Sequence, residues 1–529
     1  MRLVGSEQMR RIDERAIQMG MPGVVLMDHA GRAVAEVAIS LGRKSTLVLA
    51  GTGNNGGDGF VAARCLQEAG WPVQVMLVGD PLKVKGDALT HMRLMENAGL
   101  TPQLYSGWEA LAARLGETEL VIDALCGTGL NGPLRGQLAE VVERLNEQKK
   151  FVLAVDVPSG LDADQGRLLG PCVQATVTVT LADPKPGLFI YPAAGRAGRV
   201  VVAGIGMPAY AYQGERIKGS LLTGPSVREW LPPFAPDTHK GQRGRVLLVA
   251  GAQGLTGAAC LCGEAAARAG AGLVTVAAPA SVHDILEVKL TEVMTAPLPD
   301  EGGKVAATAV EHLPELAAGC GALAVGPGLG VSAGVKKVVA SCLALDVPLV
   351  IDADGLNVLA GMVEIIKSRN KATVLTPHPG EAARLLGRDT AAVQAARLQA
   401  ACDLAECSGA VVVLKGAGTL VVAPDGRYAV NPVANPALAS GGSGDVLTGL
   451  VVALLGNGLE AFAAACAAVF WHGAAAQLAA AGADRGMLAG DIISHLAAAL
   501  RRVVQTPDEV LPYVRMMPLG DQGVKRLDD

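Results

Sequence analysis

The fold of this chain is decided by Asn435-Pro-Ala-Leu-Ala-Ser-Gly-Gly-Ser-Gly-Asp-Val-Leu-Thr-Gly449. In this stretch Gly441, Gly442 and Gly444 precede Asp445, and an apolar run follows directly. Glycine has no Cβ, so backbone N–H groups can converge there. A helix that begins near Asp445 adds its own unpaired N–H groups and the positive end of its dipole. The stretch therefore predicts an anion site, with phosphate as the expected ligand.

Asp445 itself has two interpretations. Its carboxylate would repel a phosphate, so its position makes sense if it takes a proton from a hydroxyl group. The N–H groups would then hold the charge that develops on phosphorus. Alternatively, Asp445 only caps the helix, because aspartate is favoured at the N-cap. The three glycines and the other phosphate-type loops of the chain favour the catalytic interpretation.

Composition points to a layered α/β protein. Half of the 529 residues are hydrophobic but only 3% are aromatic, so the core is made of small, closely packed side chains, as in layered α/β folds. The length suggests about three domains. The formal net charge of -5 gives no reason to expect nucleic acid or an anionic membrane as a partner.

The ten cysteines are scattered and contain no Cys-x-x-Cys pair, which argues against zinc ribbons and redox dithiols. This pattern fits reduced thiols in a cytoplasmic protein, and the N-terminus is too charged for a signal peptide. Residues 446–481 form an apolar stretch long enough to cross a membrane. Because Glu460, His472 and Gln477 interrupt it, we expect buried helices instead.

The first half contains a strand, a glycine loop and a helix in succession. Thr46–Ala50 is a short apolar run, Gly51–Gly59 is rich in glycine and asparagine, and a helical pattern follows from Phe60 to Ala69. This is where an α/β fold binds a nucleotide, although a tight turn could have a similar composition. Asp123 and Asp156 each follow a further apolar strand. These strand ends together predict one shared pocket.

Several motifs in this half resemble the epimerase domain of the NAD(P)H-hydrate repair enzymes. They are Asn54-Asn-Gly-Gly-Asp58, the loop 123–133, Asp156-Val-Pro-Ser159 and Pro184-Lys-Pro-Gly-Leu188. The resemblance covers most of residues 1–212. It implies a Rossmann-like three-layer domain that interconverts the R and S epimers of hydrated NAD(P)H.

The same resemblance implies the binding residues of this domain. Potassium is implied near Asn55, Asp123 and Ser159, whose oxygen atoms suit a hard cation. Inverting a carbon that bears a hydroxyl needs a proton donor and acceptor; Asp156 is the first candidate and Lys185 the second, although Lys185 could equally be a solvated loop charge. The implied substrate-binding residues are Asn54, Asn55, Gly56, Gly57, Asp58, Gly127, Thr128, Gly129, Leu130, Asn131, Gly132, Pro133 and Asp156.

The two halves have no common repeat and look like separate α/β units. A polar, glycine-containing segment between Tyr210 and Gly224 marks the boundary. We therefore predict an epimerase domain over 1–212, a linker over 213–222, a second domain over 223–505 and a C-terminal tail over 506–529.

In the second half, alternating strands and helices predict a mostly parallel sheet. Four apolar strands end in polar loops: Gly326-Pro-Gly-Leu-Gly330, Asp352-Ala-Asp-Gly-Leu-Asn357, Thr376-Pro-His-Pro-Gly-Glu381 and Lys415-Gly-Ala-Gly-Thr419. Each has an ordinary explanation as well. His378 could be structural, Lys415 a solvated charge, and Asp352 and Asp354 helix caps. We expect convergence at one sheet edge instead.

These motifs, with Gly441-Gly-Ser-Gly-Asp445, resemble the ribokinase-like superfamily and, within it, the ADP-dependent NAD(P)H-hydrate dehydratase. The resemblance implies a ribokinase-like α/β/α domain in which Asp445 is the catalytic base and Mg²⁺ bridges the phosphates of the co-substrate ADP. The residues implied to hold ADP are Lys415, Gly416, Ala417, Gly418, Thr419 and Gly444. The residues implied to face the hydrated nicotinamide are Ala258, Gly328, His378 and Asp445.

The predicted function is metabolite repair by a bifunctional isomerase and lyase, whose dehydratase converts the S epimer to NAD(P)H with ADP, giving AMP and phosphate. One alternative is a ribokinase-like kinase for a vitamin-type alcohol, and another is a first domain that serves as a non-catalytic interaction scaffold. The expected partners are small molecules, with neither nucleic acid nor membrane, and a homo-oligomer is expected. The sequence leaves open the choice between ADP and ATP.

Overall fold

Two parallel sheets organise the chain, one in each of its two units. The computed structural model describes residues 1–130, 132–510 and 514–517. The first unit contains residues 2–219 together with the strand Val514–Met517, and the second contains residues 220–510.

Every strand pairing described in the large sheet of the first unit is parallel. Its strands are apolar on both faces, because Leu47 and Leu49 join one core cluster whereas Val48 and Ala50 join another. Helices therefore cover both faces, as parallel sheets require. In spatial order the strands are Val514–Met517, Arg199–Ala203, Val177–Leu181, Phe151–Val155, Leu120–Ala124, Thr46–Ala50, Val73–Leu77 and Gln103–Leu104.

The helices of the first unit alternate with these strands along the chain. They are Ser6–Gln18, Gly23–Ser40, Asn54–Glu68, Gly86–Asn97, Trp108–Gly116, Gln137–Glu147 and Ala194–Ala197, with 3₁₀ turns at Pro81–Lys83, Pro186–Leu188 and Ala209–Tyr212 and a two-residue strand at Arg2–Leu3.

The sheet of the second unit is mostly parallel, as predicted, with antiparallel strands on one side. Its spatial order is Gly219–Leu221, Tyr428–Asn431, Thr419–Val422, Val411–Leu414, Thr373–Leu375, Leu349–Ile351, Ala322–Val325, Arg245–Val249, Leu273–Pro279 and Met294–Leu298. A separate hairpin pairs Asp300–Glu301 with Lys304–Val305.

The helices of the second unit include one that is apolar almost throughout, Ala461–Ala480. It has the length and hydropathy of a membrane span, but 83% of its most apolar window is buried inside the protein, so the prediction of a buried core helix is confirmed. The other helices are Gly224–Trp230, Thr256–Arg268, His283–Lys289, Leu313–Ala317, Ala333–Ala344, Asp354–Asn357, Pro379–Leu386, Thr390–Ala395, Arg397–Ser408, Ser443–Gly456 and Ala489–Gln505; 3₁₀ turns lie at Ala280–Val282, Ala307–Glu311, Val363–Ser368, Pro436–Leu438 and Pro507–Val510.

The first glycine loop is shorter than predicted. Its helix begins at Asn54 and not at Phe60, so most of the supposed loop is helical. The glycines serve close packing there: a Cβ on Gly57 would lie 2.5 Å from the Met27 sulfur, and one on Gly59 would lie 2.6 Å from the Ala124 Cβ. The periodicity of the sequence could not distinguish this use of glycine from a flexible turn.

Two short strands fall in segments that were predicted as connections. Gly219–Leu221 lies within the expected linker, and Val514–Met517 lies within the expected C-terminal tail. The second of these pairs in parallel with Arg199–Ala203 and returns the chain to the first unit.

Candidate functional site

A cavity of about 920 Å³ opens at the carboxyl ends of the first unit's strands. It lies where the strand order reverses around Thr46–Ala50, which is the usual ligand position in such sheets. The predicted residues that line it are Asn54, Asn55, Asp58, Gly127, Thr128, Gly129, Leu130 and Asp156. Gly56, Gly57, Gly132 and Pro133 are not among the lining residues, and Asn131 lies outside the described residues.

Asp156 and Lys185 form an ion pair at the cavity wall. Asp156 adopts a left-handed backbone with φ of 64°, and its Oδ1 also accepts hydrogen bonds from the Leu181 N–H at 3.1 Å and the Thr180 hydroxyl at 3.3 Å. Lys185 is only 1% exposed. The alternative of a solvated loop charge is therefore wrong for Lys185, and both candidate residues of the sequence lie together.

Two further carboxyl groups of the cavity interact with Asp156 and Lys185. Asp13 and Asp58 line the cavity beside Asp156. Burial is the main cause that raises the pKa of Asp13 to about 6; the attraction of Lys185 opposes the shift, and the Asp156 carboxylate contributes to it. Burial, Asp156 and Asp13 raise the pKa of Asp58 well above its ordinary value. At neutral pH the wall therefore retains protons.

Sequence reasoning missed Asp13. It belongs to the helix Ser6–Gln18, whose buried residues are Met9, Ile12 and Ala16. Asp13 lies four residues after Met9 and therefore on the apolar face. A charged residue on the buried face of an amphipathic helix was the available signal.

Beneath the cavity, oxygen atoms from several loops converge around Asp123. Its Oδ1 accepts a hydrogen bond from the Ser159 hydroxyl at 2.7 Å, and its Oδ2 accepts one from the Ser159 N–H at 2.8 Å. The Ser159 hydroxyl also lies 3.0 Å from the Cys126 carbonyl oxygen. Burial raises the pKa of Asp123 to about 6, although the hydrogen bonds from Ser159 and Leu125 lower it. The buried Nδ2 of Asn55 lacks a partner among the described residues.

In the second unit, the polar loops follow strands that are neighbours in the sheet. The strands Ala322–Val325, Leu349–Ile351, Thr373–Leu375 and Val411–Leu414 lie side by side and parallel. Their carboxyl ends therefore share one edge, and the predicted convergence is confirmed.

A buried aspartate joins two of these loops to the glycine-led helix. Asp352 is 1% exposed. Its Oδ1 lies 2.8 Å from the Lys415 ammonium, and its Oδ2 accepts a hydrogen bond from the Thr448 hydroxyl at 2.7 Å. Burial lowers the pKa of Lys415, but the carboxylates of Asp352, Glu381 and Asp445 outweigh it, and the net shift is upward. Lys415 is thus no solvated loop charge.

The helix Ser443–Gly456 begins at the predicted glycines, with Gly442 as its N-cap at φ of 91°. Asp445 lies in the first turn, and the N-cap position is occupied by Gly442, so the alternative in which Asp445 serves as the N-cap residue is wrong. Burial and, to a smaller extent, the Asp352 carboxylate raise the pKa of Asp445 to about 7, whereas Lys415 opposes the shift. A Cβ on Gly444 would lie 3.3 Å from the Lys415 nitrogen. A cation and the helix N-terminus therefore meet beside Asp445.

His378 has the structural role that was weighed against a functional one. It is the N-cap of Pro379–Leu386, and its Nδ1 accepts hydrogen bonds from the N–H groups of Gly380 at 3.0 Å and Glu381 at 3.4 Å. Burial lowers the pKa of His378. Its side chain is nevertheless half exposed, so the capping role leaves part of the imidazole ring accessible to a ligand.

The structure brings two other predicted substrate residues together. Gly328 has φ of 61°, and a Cβ there would lie 2.9 Å from the Ala258 Cβ. A side chain at either position would therefore crowd the other, which explains why residues with little or no side chain occur at this edge.

Arg397 is a second residue that sequence reasoning missed. It is 3% exposed, and its Nη2 donates to the carbonyl groups of Leu414, Lys415 and Gly418 at 3.3–3.4 Å. Burial lowers its pKa to about 10. The guanidinium thus holds the loop Lys415–Thr419 from below. A lone arginine on a helix gives no sequence signal for this role.

Two family profiles match the chain: one described as YjeF-related protein N-terminus over residues 23–187, and one described as NAD(P)H-hydrate dehydratase over residues 246–498. The bifunctional NAD(P)H-hydrate repair enzyme Nnr of Moorella thermoacetica is 41% identical over 523 residues, covering 97% of this chain and 99% of the relative. The chain belongs to the family of bifunctional NAD(P)H-hydrate repair enzymes.

The chain is also similar to a second repair enzyme and to a solved dehydratase structure. The repair enzyme Nnr of Escherichia coli is 36% identical over 491 residues, covering 91% of this chain and 90% of the relative. The Bacillus subtilis ADP/ATP-dependent NAD(P)H-hydrate dehydratase, crystallised with ATP and Mg²⁺, is 30% identical; the match covers 54% of this chain and 98% of that one, with a TM-score of 0.46.

Membership of the repair-enzyme family confirms the resemblance stated from the motifs. The predicted fold class is also confirmed: a Rossmann-like α/β unit precedes a ribokinase-like one in the same chain. The roles assigned to individual residues of the two sites stay predictions.

Proposed function

We propose that this chain repairs hydrated NAD(P)H in two steps, as an isomerase and a lyase. The first unit interconverts the R and S epimers, and the second dehydrates the S epimer with ADP. Similarity to bifunctional repair enzymes over nearly the whole chain is the observation that carries this function. The same similarity disfavours both the small-molecule kinase and the non-catalytic scaffold.

The dehydration begins with activation of the substrate hydroxyl. Asp445 accepts its proton, and the oxygen attacks the terminal phosphorus of ADP. AMP leaves, and the glycine N–H groups and Lys415 stabilise the negative charge. The phosphate ester then breaks as the lone pair of the ring nitrogen pushes phosphate out. Loss of a neighbouring proton restores the ring double bond, so that NAD(P)H, AMP and phosphate are released.

Epimerisation must invert a carbon bonded to both a hydroxyl and the ring nitrogen. Asp156 is the proposed proton acceptor, because it lines the cavity and Lys185 and two further donors hold its carboxylate. The Lys185 ammonium group fixes the position of the Asp156 carboxylate at the cavity wall.

Potassium and magnesium are the proposed ions. Asn55, Asp123 and Ser159 are the proposed potassium ligands, since their oxygen atoms suit a hard cation. The Cys126 carbonyl oxygen, 3.0 Å from the Ser159 hydroxyl, is a further oxygen atom beside the buried Asp123 carboxylate. The ion would supply the positive charge that orders the loops around the nicotinamide site. Magnesium would be held by carboxylates of the second unit together with nucleotide phosphates, which supply the oxygen ligands that this ion prefers. The described residues contain no group of three His, Cys, Asp or Glu side chains that could hold a metal by themselves. Magnesium would neutralise phosphate charge.

The test is incubation of the full chain with each epimer of hydrated NADH and with ADP or ATP. Recovery of NADH absorbance with free phosphate is expected from both epimers. Accumulation of a phosphorylated substrate, detected by mass spectrometry, would instead identify a kinase.

We also propose a cytoplasmic location, which is supported by ten cysteines that all occur as free thiols. A homo-oligomer remains a proposal that light scattering can test.

A further inference from the structure

The epimerase cavity needs a proton donor as well as the acceptor Asp156, and Lys185 does not suit that role. Its ammonium group has three hydrogens, and it has three acceptors in Asp156, the Leu181 carbonyl at 2.9 Å and the Thr180 hydroxyl at 3.5 Å. Lys185 is also 1% exposed. Its protons are therefore directed into the protein and away from a ligand.

In the part of the chain that the structure describes, the Asp13 carboxyl group is not held by hydrogen bonds in the way that the Lys185 ammonium group is. It reaches the cavity from the helix Ser6–Gln18, whereas Asp156 reaches it from a strand end. No described residue donates a hydrogen bond to the Asp13 carboxyl group. Asp58 shares the wall but is only 8% exposed, so Asp13 is the more accessible of the two additional acids.

We propose that Asp13 is the proton donor of the epimerase site and delivers its proton to the ring nitrogen while Asp156 accepts the proton of the substrate hydroxyl. This inference rests on the function proposed above. The hydroxyl O–H bond and the ring C–N bond break, a C=O bond forms, and the electron pair of the C–N bond goes to nitrogen, which gains the proton from Asp13. Ring closure on the opposite face reverses each transfer, so neither an oxidant nor a further reactant is needed.

The raised pKa of Asp13 supports this role, because a carboxyl group with the ordinary pKa of 3.8 would hold almost no proton near neutral pH, whereas one with a pKa of about 6 still holds a usable fraction. Several titratable groups change the pKa of Asp13 or have their own pKa changed by its charge: Lys185, Asp156, Glu14, Asp58 and Tyr212. Protonated Asp13 becomes scarce as the pH rises above about 6. The rate of epimerisation should therefore fall on that side of its pH profile.

The experiment follows epimer interconversion by chromatography, using the full chain without nucleotide and subtracting the uncatalysed rate. Asp13→Asn should lower kcat about a hundredfold or more, with KM little changed, and should remove the fall in rate above pH 6. Asp13→Glu should recover part of the rate. Glu14→Gln is the matched control for kcat, because Glu14 is exposed on the same helix, pairs with Arg10 and is not among the residues that line the cavity; it should keep the wild-type kcat and shift the fall in rate only slightly toward lower pH, since Glu14 raises the pKa of Asp13.

Wild-type kcat and pH profile in Asp13→Asn, or a loss confined to KM, would overturn the inference. If the wild-type protein itself does not interconvert the epimers, the proposed epimerase function fails, and that result is distinct. Asp13→Asn should not destabilise the fold at pH 8, because burial disfavours the ionised Asp13 carboxylate that it replaces. Thermal unfolding of the variant, and its rate of dehydration of the S epimer, show whether the protein is still folded. If the variant misfolds, the pH profile of the wild-type epimerisation rate tests the inference. A rate that is constant across pH 6 would overturn it, and a rate that falls above pH 6 would support it.

Discussion

Asp445 is a residue whose surroundings set its protonation. Burial and Asp352 raise its pKa to about 7, and a general base acts only when it is ionised. We therefore predict that the rate of S-epimer dehydration rises as the pH passes through about 7. Asp445→Asn should lower kcat at least about a hundredfold, while ADP binding, measured by calorimetry, persists.

The same shift has a consequence for stability. A carboxyl group whose folded-state pKa is raised contributes its full stabilisation only below its ordinary pKa, here 3.8, and loses it as the pH rises from there through about 7. Asp445→Asn should therefore unfold at a higher temperature than the wild type at pH 8.5, with the difference shrinking steadily as the pH is lowered toward 4. The exposed Asp484, replaced in the same way, is the control. Normal turnover by Asp445→Asn would show that the base is another group.

Several functional residues could be named from sequence because their neighbours identify them. Asp445 follows glycines, and Asp156 follows an apolar strand. Asp13 and Arg397 could not, because each acts far along the chain from its partners: Asp13 beside Asp156, and Arg397 beneath the loop Lys415–Thr419. Only packing reveals such a role.

At the scale of the element, the helix Ser443–Gly456 depends on a left-handed residue before it. Gly442 has φ of 91°, and a Cβ there would lie 2.5 Å from the Leu261 Cδ1 atom. Gly442→Ala should therefore cost about 1–3 kcal/mol in backbone strain alone and weaken ADP binding. Gly441→Ala is the matched control, since nothing lies within 4 Å of its Cβ position. Chemical unfolding of both variants measures the difference.

Equal destabilisation by the two alanines would contradict the importance of the left-handed N-cap. Loss of ADP affinity in Gly441→Ala without loss of stability would assign Gly441 to binding instead.

The proposed potassium site joins the ends of two strands and the start of a helix. An ion that binds only the folded state stabilises it, by about 2.7 kcal/mol at a hundred times its Kd. Potassium, compared with tetramethylammonium at equal ionic strength, should raise the unfolding temperature of the first unit. Asp123→Asn should abolish the increase, whereas the exposed Asp80, replaced by asparagine, should retain it.

An increase of the same size in Asp123→Asn would place potassium elsewhere. No increase in the wild type would remove the ion from the proposal.

At the scale of the whole molecule, the last strand that the structure describes belongs to the unit that contains the first helices of the chain. The strand Val514–Met517 pairs with Arg199–Ala203, Met517 is 5% exposed, and its carbonyl oxygen accepts a hydrogen bond from Gly204 at 2.9 Å. Deleting residues 512–529 should therefore lower the unfolding temperature of the first unit by several degrees. Burial of one methionine side chain stabilises a protein by about 1.5–3 kcal/mol. A loss of 1 kcal/mol lowers the unfolding midpoint of a domain of this size by about 2–4 °C.

Deletion of residues 518–529 alone is the matched control, because it keeps the strand. Epimerase activity after heating should fall only in the longer deletion, and dehydratase activity should be the same in both. Equal heat resistance would show that the strand contributes nothing to the first unit.

The sequence by itself determined the two α/β units, their strand ends and the glycine-led helix, because apolar runs, glycines and the polar residues after strands are local patterns. The tertiary structure alone decided that Asp13 faces Asp156, that Asp352 joins Lys415 to Thr448, and that a C-terminal strand completes the first sheet. These pairs lie far apart along the chain, and a local pattern does not record which distant side chain will be buried against another.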